Sequence, residues 1–384
     1  MSGLRGNWKE EALGLLKNAL EIVTVTNQNN EKELAEYIAG FLKDTIKAEI
    51  QELSPGRANI IAEIKGEDEN NAILLNGHLD TVPFGDLENW QTPPHKATEK
   101  DGYIYARGAS DMKSGLCAYL YAFCTLAKEG YKPKNSIIFT GTADEEINGL
   151  GAYGIVQKGL LDRVSTIIIG EPTGNGISVA AKGTLWIEFH IDGKTCHSSY
   201  PHNGVNACEK AYELYQRIKA LTGDETHYLL GKTTCTMTKM NGGVANNMVP
   251  DKCSFSVDIR TIPGVSHKAL LEEIDREISA MANTNKELFI EKNIITNRIS
   301  VEIEEKSSFV KEFARSAEKV KGEKPLITST NFFSDASIFC IDYSPSVLLF
   351  GPGESGEAHK PNEHVEIKKY FEAIEIMYEF LKTL

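Results

Sequence analysis

Three short apolar runs in this chain each end abruptly in side chains able to hold a metal ion. Ala72-Ile-Leu-Leu-Asn-Gly-His-Leu-Asp80 finishes in His78 and Asp80, Ser136-Ile-Ile-Phe-Thr-Gly-Thr-Ala-Asp-Glu-Glu146 in Glu145 and Glu146, and Thr166-Ile-Ile-Ile-Gly-Glu171 in Glu171. Runs this short and this continuously apolar read as strands buried on both faces, the signature of a parallel sheet. A parallel sheet delivers the carboxyl ends of its strands to one edge, where α/β proteins place their ligands. The three endings therefore predict one shared site.

The intervening segments fit that sheet. Apolar residues recur at helical spacing near the N-terminus (Trp8, Leu15, Leu16, Ala19, Leu20, Ile22, Val23) and again over 31–43, with extended segments near 48–53 and 59–64. A long irregular stretch, 81–101, follows the first site strand, and connections of that length are usually functional. Ser110 and Asp111 then open a helix whose apolar stripe is Leu116, Tyr119, Leu120, Phe123, Leu126 and Ala127. Strand alternating with helix is the pattern of a mostly parallel sheet flanked by helices.

From about residue 177 the texture changes to strands of alternating pattern (186–191, 233–240, 253–259) with amphipathic helices near 205–221 and 266–281. That mixture predicts an α+β lid inserted into the first domain. The expected organisation is a catalytic domain over 1–176, an insert over 177–300, and the rest of the catalytic domain over 301–384. A chain of 384 residues is also too long for one ordinary core.

Charge and cysteine content exclude several classes. A net charge of −13 with no basic patch argues against a nucleic-acid partner. The seven cysteines lack CxxC spacing and are odd in number, which fits the reduced thiols of a cytoplasmic protein rather than a disulfide framework. No stretch approaches the roughly 18 apolar residues of a membrane span.

The site residues have definite chemistry. His78 and Asp80, two apart on extended backbone, point to the same side, and a carboxylate beside a histidine ligand fixes its tautomer. Asp111 is open to two roles, a helix N-cap or a carboxylate bridging two cations, the second favoured by the small residues around it. Neighbours in extended backbone point to opposite sides, so one of Glu145 and Glu146 can bind metal while the other faces substrate. Glu171 is either a solvated turn residue or a ligand, and His359 lies in a loop after the apolar strand 346–350. Two divalent cations carry four positive charges, balanced by Asp111, one glutamate of the pair, Glu171 and a hydroxide. Mixed histidine and carboxylate donors suit Zn²⁺, with Co²⁺ or Mn²⁺ as substitutes. Two such ions about 3.5 to 4 Å apart would acidify a shared water and polarise a carbonyl, leaving the spare glutamate as general base.

In order along the chain, Gly77-His-Leu-Asp-Thr-Val82, Gly108-Ala-Ser-Asp-Met-Lys113, Ala143-Asp-Glu-Glu146, Gly170-Glu-Pro-Thr173 and His359-Lys-Pro-Asn-Glu363 resemble the successive metal motifs of the M20 family of metallopeptidases and deacylases. That group contains acetylornithine deacetylase, succinyl-diaminopimelate desuccinylase and carboxypeptidase G2, and the resemblance covers nearly the whole chain. It implies a zinc-peptidase-like catalytic domain with an inserted lid and dimerisation domain. It implies further that His78, Asp111 and Glu171 hold one zinc, that Asp111, Glu146 and His359 hold the other, that Glu145 is the base and that Asp80 orients His78.

The segment Gly193-Lys-Thr-Cys-His-Ser-Ser-Tyr-Pro-His-Asn-Gly-Val-Asn-Ala207 is similar to the family's lid segment, in which the histidine, here His197, stabilises an oxyanion across a dimer interface. Asn247 and Arg260 resemble lid residues that contact the substrate carboxylate. The chain departs from a strict succinyl-diaminopimelate desuccinylase at Ser178-Val-Ala-Ala-Lys-Gly-Thr184, where that enzyme is Arg-rich, and at Asn331-Phe-Phe-Ser-Asp-Ala-Ser337. Pro93-Pro-His95 stands where the family usually has Pro-Pro-Phe. The resemblance implies a homodimeric dinuclear amidohydrolase of N-acyl amino acids. The alternatives are a dipeptidase or tripeptidase and, remotely, a non-catalytic binder of amino-acid derivatives.

Overall fold

A computed structural model describes residues 4–26 and 28–384. Four parallel strands form the centre of a mixed nine-stranded sheet in the order Asn135–Thr142, Asp68–His78, Val164–Ile169, Ser346–Leu349. Their register aligns the ends: His78 pairs with Thr142, Asn76 with Ile169, and Leu349 with Ile169. The antiparallel strands Arg57–Ile64 and Ala48–Ser54 extend the sheet beyond Asn135–Thr142. The strand centres are isoleucine, leucine and phenylalanine with no exposed position, as expected of a sheet covered on both faces.

Helices flank this sheet. Lys113–Lys128, buried along almost its whole length, packs on the strands Asp68–His78 and Asn135–Thr142 and against Trp8–Glu21 and Ile367–Leu381. Glu31–Leu42 packs on the strands Arg57–Ile64 and Ala48–Ser54. A helix beginning near Ser110 was expected; it starts at Lys113, and Met112 at its N-cap position makes no capping bond. Asp111 is therefore not a cap. A small three-stranded sheet, Thr98–Lys100, Tyr103–Tyr105 and His364–Glu366, ties the end of the His359 loop to the chain entering Arg107 and Asp111.

The chain divides into two compact units, residues 1–179 with 302–329 and 334–384, and residues 180–301 with 330–333. The second unit is a four-stranded antiparallel sheet in the order Thr234–Gly242, Lys252–Thr261, Gly183–Asp192, Phe289–Arg298. Leu185, Ile187, Phe189 and Ile191 alternate along one strand and pack with Phe255, Val257, Leu214, Ile218 and Ile274, so the helices Ala207–Ala220 and His267–Thr284 cover that face. Asn206 and Ser266 cap the two helices with their side chains. Among the described residues all seven cysteines are free thiols, and no helix is long and apolar enough to cross a membrane.

Candidate metal centre

The parallel strands place their endings together. Nδ1 and Nε2 of His78 have different partners: Nδ1 lies 2.9 Å from the backbone carbonyl of Asp80, which can only accept, and Nε2 lies 3.1 Å from Oδ1 of Asp111. The other oxygen of Asp111 lies 3.3 Å from Nε2 of His359, and that nitrogen is 3.1 Å from Oε1 of Glu146. Asp111 thus offers one oxygen to each histidine, the geometry of a bridge. Ligand atoms of His78, Asp111 and Glu146 all lie within 4.8 Å of one another.

Electrostatics fit a cation at this place. Glu145, Glu146 and Glu171 are each pushed above the usual carboxylate range, first by burial and then by one another and by Asp111 or Asp335. Hydrogen bonds from the His359 ring to the carboxylates of Asp111 and Glu146 raise its pKa to about 10. Burial lowers the pKa of His78, but its bond to Asp111 and the charges of Asp80 and Glu145 outweigh that and raise it. Those same bonds hold Asp111 below its ordinary value against burial. Four crowded carboxylates with two histidines that retain protons are a set short of positive charge, and oxygen and nitrogen donors of this kind suit a divalent cation.

Glu145 differs from Glu146. It is 5% exposed and its Oε1 has no hydrogen-bond partner, whereas Glu146 points to His359. Asp80 also differs from expectation. Its carboxylate is 3.7 Å from Nδ1 of His78, too long for a hydrogen bond, and the carbonyl of the same residue holds the ring instead. The carboxylate accepts the backbone N–H groups of Glu145 and Glu146, because the left-handed turn at Asp144 (φ 66°) aims both amides at it.

Several supporting residues were not singled out from sequence. Glu363, fully buried, accepts the N–H groups of Ser110 and Asp111 at 2.9 Å through one oxygen and Arg107 at 2.6 Å through the other. Asp335 accepts Asn76 at 3.0 Å and Thr142 at 2.5 Å, joining two of the site strands near their ends. On the strand Arg57–Ile64, Arg57 pairs with Asp144, and Asn59 accepts the Ala143 N–H and donates to the Gly151 carbonyl. A Cβ at Gly115 would collide with the Gly170 carbonyl, so the helix start meets the residue before Glu171 backbone to backbone. Only the final glutamate of the His359 motif could have signalled part of this.

The remaining expected residues, His197, Asn247 and Arg260, lie in the second unit. The Ser199 N–H donates to Nδ1 of exposed His197, leaving the proton of a neutral ring on Nε2. The Ser198 N–H donates to the Asn247 carbonyl at 3.0 Å, which puts the segments carrying His197 and Asn247 side by side. Arg260 is engaged by Asp258 through two bonds, at 2.9 and 3.1 Å.

Residues 74–383 match a model of peptidase family M20/M25/M40. A probable succinyl-diaminopimelate desuccinylase of Staphylococcus aureus (strain N315) is 31% identical over 97% of each chain. The crystal structure of an M20 family metallo-carboxypeptidase from Sulfolobus solfataricus superposes with a TM-score of 0.77 at 23% identity, covering 97% of this chain and 98% of that one. A Bacillus subtilis protein described as a dinuclear metal binding peptidase from the M20 family gives 0.75 at 16% identity, covering 98% and 99%.

Proposed function

The chain belongs to peptidase family M20/M25/M40, whose members are metallo-hydrolases of amide and peptide bonds, and from that premise we propose that it is a dinuclear amidohydrolase removing the acyl group of an N-acyl amino acid. The observation that carries this reading is Glu145, a buried carboxylate with an unpartnered oxygen beside the His78, Asp111 and Glu146 donors. His78, Asp111 and Glu171 would hold one cation and Asp111, Glu146 and His359 the other, with zinc best suited to the donors and cobalt or manganese able to replace it. Such ions supply Lewis acidity, lowering the pKa of a water and polarising the amide carbonyl.

The protein's own groups do the rest. Glu145 takes the proton from the attacking water and delivers it to the leaving nitrogen, and burial, which raises its proton affinity, lets it hold the proton in between. Asp80 fixes the backbone on which Glu145 and Glu146 stand. His197, through its Nε2 proton, stabilises negative charge developing on the carbonyl oxygen, contributed from the inserted domain of the partner in a homodimer. Asn247 and Arg260 contact the substrate carboxylate.

A second reading, cleavage of short peptides, is favoured by the carboxypeptidase likeness. A hydrolysis screen of the zinc-loaded protein on N-acetyl and N-succinyl amino acids and on dipeptides and tripeptides separates the two. Glu145→Gln retains metal and loses turnover on every substrate; an active Glu145→Gln protein removes Glu145 as the base.

A further inference from the structure

Two of the seven free thiols, those of Cys208 and Cys253, meet inside the second unit. Cys253 stands near the start of the strand Lys252–Thr261, directly across from Gly242, the last residue of Thr234–Gly242. Cys208 is the second residue of the helix Ala207–Ala220, which packs on both strands. A Cβ at Gly242 would lie 2.6 Å from the Cys208 sulfur and 3.1 Å from that of Cys253, so both sulfurs crowd over a residue that has no side chain. Burial first, and then a hydrogen bond with the Cys208 thiol, pushes the Cys253 thiol up to about 12.

The two thiols differ in access. Cys253 is buried in the core under the helix, whereas Cys208 is half-buried at the edge of that core. A groove of about 460 Å³, lined by Asn241, Gly242, Lys252 and Cys253, opens beside them and is large enough for a peroxide. Redox-sensing cysteines are accessible and stand next to a resolving thiol. The pair also lies where two segments meet. The 243–251 connection, which carries Asn247, joins Gly242 to the strand of Cys253, and the 193–206 segment, which carries His197, leads into the helix of Cys208. Main-chain bonds zip these segments together: Val249 N–H to the Cys196 carbonyl at 2.9 Å, Ser198 N–H to that of Asn247 at 3.0 Å, and Ala207 N–H to that of Pro250 at 2.9 Å.

We propose that Cys208 and Cys253 are a modification site, closing to a reversible disulfide on exposure to hydrogen peroxide and locking the common root of the His197 and Asn247 segments. The Cys208 sulfur attacks one peroxide oxygen: an S–O bond forms, the O–O bond breaks, and the departing hydroxide takes the Cys208 proton as water. The Cys253 sulfur then attacks the sulfenic sulfur; the S–S bond forms, the S–O bond breaks, and hydroxide leaves with the Cys253 proton as a second water. The two cysteines together lose two electrons and the peroxide gains them. An S–S bond of about 2.05 Å is shorter than any contact between separate thiols, so closure draws the start of the helix towards the strand. Its effect on turnover rests on the amidohydrolase reading; the disulfide itself does not.

Two measurements on the full chain test this. In the first, metal-free protein is treated with equimolar hydrogen peroxide, digested, and its peptides are weighed by mass spectrometry. A cross-link joining Cys208 to Cys253 is expected, lighter by two hydrogens than the separate peptides, with loss of two of the seven thiols. A phosphine reductant should reverse both changes. Cys208→Ser and Cys253→Ala should each abolish the cross-link, and the half-buried Cys208→Ser serves if Cys253→Ala does not fold. No cross-link, one through a different cysteine or between two molecules, or thiol loss unchanged in Cys208→Ser would each overturn the site.

In the second, untreated, oxidised and re-reduced samples are each loaded with zinc and assayed on N-acyl amino acids and short peptides. Oxidation is expected to lower kcat at least about tenfold, towards the roughly 10²–10³-fold of a lost oxyanion donor, and reduction to restore it. Cys208→Ser should hold its rate through the same treatment. A disulfide that forms and leaves kcat unchanged overturns the lock. Hydrolysis with no disulfide defeats this site alone, and a disulfide in a protein that hydrolyses nothing in any state defeats the amidohydrolase reading alone.

Discussion

One carboxylate oxygen of Asp80 accepts the backbone N–H of Glu145 at 3.0 Å, while the other accepts that of Glu146 at 3.1 Å. Asp80, two residues beyond the first site strand, thereby sets the backbone on which Glu145 and Glu146 stand. Asn in its place can accept through one atom only. Asp80→Asn should lower kcat about 10- to 100-fold, as outer-shell changes at metal sites do, with smaller loss of metal affinity. Steady-state kinetics with metal titration check this; an unchanged kcat would show that Glu145 needs no such brace.

Glu363 and Arg107 form a buried pair, and the same glutamate holds the amides of Ser110 and Asp111. Glu363→Gln leaves Arg107 buried without its counter-charge. Breaking one partner of such a pair costs about 3–5 kcal/mol, so denaturant unfolding of the metal-free protein should show a loss on that scale. Metal affinity should fall with it, because Asp111 loses its positioning.

Burial raises Glu31, at the start of the helix Glu31–Leu42, to about 7 from 4.5. A carboxyl whose folded pKa is raised holds its proton better in the folded state. The stability this confers is complete below about pH 4.5 and is lost as pH rises through about 7. Metal-free Glu31→Gln should therefore gain about 3 kcal/mol relative to the unaltered protein as pH rises from about 4.5 to about 7, read by denaturant unfolding across pH. A difference that does not vary with pH would mean Glu31 stays ionised beside Arg57.

If His197 acts on the partner's site, inactive Glu145→Gln and weakly active His197→Ala proteins should complement on mixing. His197→Ala alone should lose about 10²–10³-fold in kcat, the scale of one oxyanion donor. Heterodimers would regain one complete site, and activity should rise above the sum of the separate proteins. Absence of complementation between exchanging dimers, or a fully active monomer in sedimentation, would refute action in trans.

The strand-end residues were legible because continuous apolar runs fix both the buried sheet and the side of it where the chain must leave. Asp111 was ambiguous because an aspartate before a helix looks like a cap; only the structure shows both of its oxygens turned to His78 and His359. Glu363 and Asp335 were not legible as supports. Their partners lie more than 190 residues away, and a carboxylate that accepts backbone or amide N–H groups leaves no local pattern. The work of Asp80 was read through the wrong atoms, since sequence spacing gives the side of the strand but not which oxygen reaches the ring.

The contact of Gly115 with Gly170 has a consequence for how the chain tolerates change. Asp111 and Glu171 sit next to two stretches of main chain that touch with nothing between them. At that point the approach of the helix to the strand end is set by main chain rather than by side-chain volume. Core substitutions that shift the helix relative to the strands are therefore expected to move both carboxylates together. The molecule can drift around this gauge without recalibrating it.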